Sequence, residues 1–236
     1  DKQLGGICLN WGCIPTKALL KNADVLCLIE NASKYGIDIS GFTVNWKKVV
    51  KRSRDVAGRL SKGIEFLLKK NKITHINGRG ELKSNNTIEV TLSDGKKEII
   101  SAKHIILATG ARPKYFPGME PNGKRIITSK EAMVLEERPK SMVVIGAGAI
   151  GIEFAHFFQS YGTKITIIEA LSQILPIEDI EVSNELEIIF KKRGMKILKE
   201  TFVEKVIDKG KSVDVILKSG DKISADYALV AIGVQS

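Results

Sequence analysis

The spacing of apolar residues changes along the chain, and each change predicts a different element. Residues 15–33 and the series Trp46, Val49, Val50, Val56, Leu60, Ile64, Leu67 and Leu68 carry apolar side chains at helical intervals, which predicts two long amphipathic helices. The period then shortens. Residues 73–77, 87–92 and 98–101 read as short strands broken by Gly78-Arg79-Gly80, Asn85-Asn86 and the hairpin turn Asp94-Gly95. Residues 104–108 form a continuous apolar run ending at Thr109-Gly110, the profile of a buried strand that delivers a loop to a ligand.

Pro113, Pro117, Gly118, Pro121 and Gly123 make the densest cluster of breakers, which places a domain boundary there, with one unit over 1–118 and a second over 119–236. In the second unit, 141–145 predicts a strand, 149–161 a helix and 164–168 a strand ending at Glu169, a compact βαβ unit. A helix over 180–193 follows, then strands near 195–198, 202–207, 213–217 and 227–232, with Ser219-Gly220-Asp221 as a hairpin turn. This pattern predicts an α/β protein.

Composition narrows the classes. At 236 residues, 43% hydrophobic and 27% charged, the chain is globular in composition and long enough for two modest domains. No apolar run approaches the roughly 20 residues that span a bilayer, so no membrane role is expected. The net charge of +10 invites a nucleic-acid reading. The basic residues, however, are scattered over helices (Lys47, Lys48, Lys51, Arg52; Lys191, Lys192, Arg193) without aromatic interleaving, and solvated faces explain them. His75, His104 and His156 have no partner at metal-ligand or triad spacing and read as structural, so no metal is expected.

Candidate chemistry is concentrated in Gly5-Gly6-Ile7-Cys8-Leu9-Asn10-Trp11-Gly12-Cys13-Ile14-Pro15-Thr16-Lys17. A bridge between cysteines so close would restrict the unfolded chain by only about 2 kcal/mol, which is modest for a structural staple. The glycines permit close backbone approach to a ligand, and Pro15 marks a first helical turn. Cys13 is thus expected near a helix N-terminus with Lys17 one turn on, a setting that favours a reactive thiolate. A structural disulfide and a pair of buried free thiols are the alternatives. The third cysteine, Cys27, shares a helical stripe with Leu19, Ala23 and Leu26 and is expected in the core.

The second motif is Gly146-Ala147-Gly148-Ala149-Ile150-Gly151, a Gly-x-Gly-x-x-Gly placed after a strand and opening a helix. Its glycines let backbone N–H groups reach a pyrophosphate. Glu169, 18 residues beyond Gly151, ends the next strand where a carboxylate accepts from ribose hydroxyls and repels an extra phosphate. NAD is therefore expected rather than NADP. A glycine turn that merely packs a helix on a sheet is the plainer alternative.

The segment 5–17 closely resembles the redox-disulfide signature of the flavoprotein disulfide reductases. Its wording is most similar to the dihydrolipoamide-oxidising branch; glutathione and mercuric reductases usually have Val at the position of Leu9. The resemblance implies two Rossmann-like nucleotide-binding domains, for FAD and for NAD, with three-stranded meander insertions. It implies that Cys8 and Cys13 form the redox disulfide, Cys8 as the thiol that exchanges with substrate and Cys13 facing the flavin. It also implies that Lys17 and Glu153 form an ion pair at the flavin–nicotinamide junction. For the flavin it carries over Gly5, Gly6, Cys8, Lys17, Gly80, Ala108, Thr109 and Gly110. For NAD it carries over Gly146 to Gly151, Glu169, Val203, Ala231, Ile232 and Gly233. Read locally, Gly80 is equally well a turn glycine.

The implied reaction is oxidation of dihydrolipoamide, borne on lipoyl domains of 2-oxo acid dehydrogenase or glycine-cleavage complexes, with electrons passing through FAD to NAD. The implied enzyme is a homodimer, cytoplasmic or in the mitochondrial matrix, a reducing setting that suits a reactive pair in a cysteine-poor chain. The family's first FAD glycine motif, its later Gly-Asp motif and its dimerisation domain with a His/Glu proton-transfer pair are expected outside residues 1–236. The segment alone is accordingly expected to bind FAD poorly and to be inactive. A nucleotide-binding fragment or a non-catalytic subunit that uses its cysteines as a sensor is the reading from another class.

Overall fold

A computed structural model describes residues 3–236. The chain starts with a short helix, α1 (Gly6–Trp11), followed at once by α2 (Cys13–Glu30), a 3₁₀ turn at Ala32–Tyr35, and the long helix α3 (Trp46–Lys70). The spacing of apolar residues predicted α2 and α3, and the N-cap of α3 is Asn45, whose side chain accepts from the Lys48 N–H. Helix α1 was read as loop. It forms because Gly5 and Gly6 take left-handed φ values of 98° and 64°, which turn the chain into the helix.

An antiparallel meander follows: β1 (Gly78–Ser84), β2 (Thr87–Leu92) and β3 (Lys97–Ser101) pair in the order β1-β2-β3. Two expectations fail here. Residues 73–77 are extended but unpaired, and Gly78-Arg79-Gly80, read as a break, instead opens β1. A Cβ on Gly78 would lie 2.5 Å from Val90 Cγ1, so the strand can cross β2 closely only because that residue is glycine. Gly80 likewise lies within β1, opposite Val90, and is no turn glycine.

Residues 104–108 correct a third expectation. They form no paired strand, and Ile106 and Leu107 are 90% and 68% exposed. A buried parallel strand needs paired neighbours to satisfy its backbone and cover its faces. Among the described residues nothing supplies them.

The second half is built on a parallel sheet. Its elements are β4 (Arg112–Pro113), β5 (Ile126–Ile127), α4 (Ser129–Ala132), β6 (Ser141–Ile145), α5 (Ala149–Ser160), β7 (Lys164–Ile168), α6 (Ile180–Lys192), β8 (Lys196–Leu198), β9 (Val203–Asp208), β10 (Val213–Leu217), β11 (Lys222–Ala225), β12 (Tyr227–Val230) and β13 (Val234–Gln235). Strands pair in the order β5-β12-β6-β7-β8, every pairing parallel. Val143, Val144 and Ile145 are buried, as expected of a strand covered on both faces. A second antiparallel meander, β11-β10-β9, packs Val203, Val206, Val213, Val215 and Leu217 against one face. Helices cover the other. The fold is therefore α/β with a doubly covered parallel sheet, and of the two nucleotide-binding units expected, the second displays its Rossmann sheet while the first contributes helices and a meander.

Helix α2 packs on α5 through a shared core: Leu19, Ala23 and Leu26 meet Phe154, Phe157 and Phe158. Trp46, opening α3, adds to this contact with its ring centroid 5.5 Å from that of Phe157 and its indole N–H donating to the Leu135 carbonyl at 2.8 Å. Cys27 is only half-buried at the rim of this core rather than inside it. No helix among the described residues is long and apolar enough to cross a membrane.

Candidate functional site

Two groups of residues meet at the junction of α2 and α5. The first is the cysteine pair. Cys8 lies on α1 and Cys13 is the first residue of α2, with Gly12 as the hinge between them. A Cβ on Gly12 would sit 3.2 Å from the Ile7 carbonyl oxygen, a contact tight enough to resist any larger residue. Thr16 closes the first turn of α2, its hydroxyl donating to the Gly12 carbonyl at 2.7 Å. Both cysteines are free thiols and both are exposed, which removes the alternative of two buried thiols.

The two thiols influence each other electrostatically. The Cys8 thiol is pushed up from its ordinary value, first by its hydrogen bond with the Cys13 thiol, then by desolvation and by the charge of Cys13. The Cys13 backbone N–H and the Lys17 charge oppose that shift. The two thiols are therefore near enough for each to act on the other's charge.

The second group is the glycine-rich loop. Gly146 follows β6 with φ 100°, and a Cβ there would come within 2.5 Å of the Ala231 carbonyl oxygen. Gly151 is closer still: its Cβ would fall 2.0 Å from the Gly146 carbonyl oxygen. Gly148, the N-cap of α5, has nothing within 4 Å of the position its Cβ would take, so the helix N-terminus opens on free space. Two glycines are thus required by packing and the third leaves a cradle in which backbone N–H groups can meet an anion.

Glu169 closes this loop. It is 8% exposed, its Oε2 accepts from the Ala147 N–H at 2.7 Å, and its Oε1 accepts from the Leu171 N–H at 3.0 Å. The carboxylate therefore fixes the glycine loop as well as standing at the strand end where a ribose would lie. The carboxyl ends of β6, β7 and β12 deliver Gly146, Glu169 and Ala231 to one edge of the sheet, the edge where ligands bind in open α/β folds. Ala147 is fully buried, Ala149 is exposed and Ile150 is half-buried. Ile232 is half-buried and Gly233, with φ 109°, has open space around it. Val203 is buried at the start of β9.

An ion pair links the groups. Lys17 Nζ donates to Glu153 Oε1, from the second turns of α2 and α5, across 136 residues of sequence. Gly110 takes φ 80° and the place of its Cβ is 3.7 Å from Ile7 Cδ1, which brings the exposed Ala108-Thr109-Gly110 segment beside the cysteine helix. Gly80 lies within the first meander, and the structure gives it no contact with these groups beyond its own sheet. Among the histidines, His156 stacks on Phe190 with centroids 6.3 Å apart and lies 3.1 Å from Arg193; burial, then the Arg193 charge, pulls its imidazole below the ordinary value.

A dithiol at a helix start is thus fastened by an ion pair to the helix of a glycine-rich βαβ unit. The family profile for pyridine nucleotide-disulphide oxidoreductases matches residues 3–236, and the chain belongs to that family. It is 43% identical over 236 residues to a dihydrolipoyl dehydrogenase of Chlorobaculum parvum, covering 98% of this chain and 50% of the relative. A dihydrolipoyl dehydrogenase of Bacillus subtilis is 37% identical, over 100% of this chain and 52% of its own length. The crystal structure of LpdA from Mycobacterium tuberculosis superposes with a TM-score of 0.92 at 26% identity, covering 99% of this chain and 51% of that one. The flavoprotein disulfide reductase RclA from Escherichia coli superposes with a TM-score of 0.83 at 27% identity, over 100% of this chain and 50% of its own. The chain thus spans about half the length of the curated relatives it matches.

Proposed function

We propose that this chain carries the redox and NAD-binding machinery of a dihydrolipoamide-oxidising flavoenzyme, divided into a flavin part over 1–118 and an NAD part over 119–236. The observation that carries the reading is the exposed Cys8–Cys13 pair at the start of the helix whose Lys17 pairs with Glu153 on the helix that follows the glycine-rich loop.

In the reaction, one dihydrolipoamide thiolate attacks Cys8 of the Cys8–Cys13 disulfide, forming a mixed disulfide and freeing Cys13. The second substrate thiol displaces Cys8, so that lipoamide leaves oxidised and the pair holds two electrons as a dithiol. Bound FAD would supply the electron relay between the dithiol and NAD+. Cys13 would be the member facing the flavin, and Gly5, Gly6, Gly80 and the Ala108-Thr109-Gly110 turn would hold the cofactor. The open glycine at 6, the left-handed glycine at 110 and their closeness to α1 fit such a group. Lys17 and Glu153 fix the relative position of the two cofactor sites. On the NAD side, Gly146 to Gly151 and the α5 N-terminus hold the pyrophosphate, Glu169 the ribose, and Val203, Ala231, Ile232 and Gly233 line the remainder. The lack of side-chain space at Gly146 and Gly151 beside the open Gly148 fits a dinucleotide.

The substrate follows the activity for which the relatives are named and is expected on lipoyl domains of 2-oxo acid dehydrogenase or glycine-cleavage complexes, served by a homodimer in a reducing compartment. The test is dihydrolipoamide-dependent NAD+ reduction by the natural protein and its Cys8→Ser variant. Turnover is lost in the variant while flavin reduction by NADH survives. Loss of both, or of neither, overturns the division of roles.

A further inference from the structure

Trp11 is the last residue of α1 and stands between the two cysteines, and two cations from distant parts of the chain close on its ring. Arg54, on α3, places its guanidinium carbon 4.6 Å from the ring centroid. Lys130, on α4, places its ammonium 5.0 Å away. The indole N–H is fixed separately, donating to Gln3 Oε1 at 2.9 Å. Both cations are within the range where the ring quadrupole attracts them.

Arg54 is no ordinary surface arginine. Its Nε and Nη2 are buried and have no hydrogen-bond partner among the described residues. Unpaired buried donors are costly, so a free arginine would turn outward to water. Nearby acids do not retain it: Glu65, which lines the same cavity of about 490 Å³, pairs with Lys69 at 3.0 Å, and Asp55 pairs with Lys51. The face of Trp11 is what compensates for the buried guanidinium. The same helix grips the other end of the loop, because the Ser61 hydroxyl on α3 donates to the Leu4 carbonyl at 2.8 Å and the Asn10 amide donates to that carbonyl at 2.9 Å. Helix α1 is therefore clamped to α3 before and after Cys8.

We propose that Arg54 and Lys130 are positioning residues that act through the face of Trp11 to keep Cys8 and Cys13 aligned for closure, and so set how readily the pair opens. A disulfide forms only within a narrow range of Cα and Cβ separations. Gly12 joins α1 to α2 without a side chain, and the stacked cations restrain α1 from α3 and α4. Without them the open dithiol gains conformations, the sulfurs meet less often, and the disulfide becomes easier to reduce. The inference rests on the redox reading of the pair.

The test needs no flavin. The protein is equilibrated in mixtures of reduced and oxidised dithiothreitol, quenched with a maleimide, and the Cys8–Cys13 state read by mass spectrometry. Opening breaks the S–S bond, takes two electrons and two protons from one dithiothreitol, and leaves that reagent as its cyclic disulfide. Arg54→Met and Trp11→Leu each raise the equilibrium constant for opening at least fivefold, about 20 mV for a two-electron couple. The double variant moves no further than either single one, since both break the same contact. Lys130→Met moves it in the same direction, and Arg54→Lys, which keeps a cation on the ring, restores most of the wild-type value. A role confined to stability would lower the urea midpoint of Arg54→Met and leave the equilibrium constant unmoved. If the wild-type pair closes but Arg54→Met and Trp11→Leu stay within twofold of it, the proposal is wrong and the redox reading stands. If the wild-type pair never closes in oxidised reagent, the redox reading fails and the proposal falls with it.

Discussion

Removing the carboxylate of Glu169 distinguishes a loop clamp from a pure ribose ligand. In the unliganded protein the Ala147 N–H is buried and its acceptor is Glu169 Oε2 at 2.7 Å, while the exposed Leu171 can turn its N–H from Oε1 to water. A hydrogen bond to a charged acceptor contributes about 1.5–3 kcal/mol, and leaving its buried donor unpaired costs about 1–3 kcal/mol. Counting the Ala147 bond nearly in full and the Leu171 bond only in part, Glu169→Ala destabilises the unliganded chain by about 2–4 kcal/mol. Glu169→Gln keeps one acceptor oxygen for Ala147 but turns an amide N–H toward the Leu171 N–H, for a loss of about 1–2 kcal/mol. Urea unfolding followed by circular dichroism, without any nucleotide, measures both. Were ribose binding the only role of Glu169, Glu169→Ala would lie within about 0.5 kcal/mol of wild type, and that result would refute the clamp.

The glycine loop gives a matched pair. Gly151→Ala drives a Cβ to 2.0 Å from a carbonyl oxygen and destabilises the chain by about 3 kcal/mol, whereas Gly148→Ala has open space, keeps wild-type stability, and weakens NADH binding measured by fluorescence titration; equal stabilities for the two would contradict the packing argument. Iodoacetamide alkylation of Cys8, followed by peptide mapping, has a pH midpoint on the alkaline side of an unfolded control because the Cys13 thiol holds the Cys8 proton. Cys13→Ala moves that midpoint down, and an unmoved midpoint removes the assigned cause. Lys17→Met breaks an ion pair whose lysine is 61% exposed, so unfolding changes by less than about 1 kcal/mol, while dihydrolipoamide turnover of the natural protein falls at least tenfold. Matching small losses in both would demote Lys17 to a surface residue.

Local signals made the second half readable. A buried strand, a glycine motif whose Cβ positions collide with backbone, and an acidic residue at the next strand end lie within one βαβ unit, so each constrains its neighbours in sequence. The Lys17–Glu153 pair spans 136 residues and no local pattern contains it; only the family resemblance joined the two. Helix α1 was missed because glycines flank it, and left-handed glycine looks like loop until the turn it makes is seen. Residues 104–108 were misread because burial belongs to neighbours and not to the run itself: an apolar segment without paired strands is simply exposed. The Arg54–Trp11–Lys130 stack was invisible for a related reason, since three elements contribute one side chain each and none stands out in its own segment.

The central claim is that dihydrolipoamide opens the Cys8–Cys13 bond. One equivalent of dihydrolipoamide is added anaerobically to the oxidised natural protein without NAD+, the mixture is quenched with N-ethylmaleimide, and every cysteine peptide is weighed. The account predicts new label on Cys8 and Cys13 together, with lipoamide formed in equal amount and Cys27 labelled as before. An intact Cys8–Cys13 disulfide beside unconsumed dihydrolipoamide would contradict it.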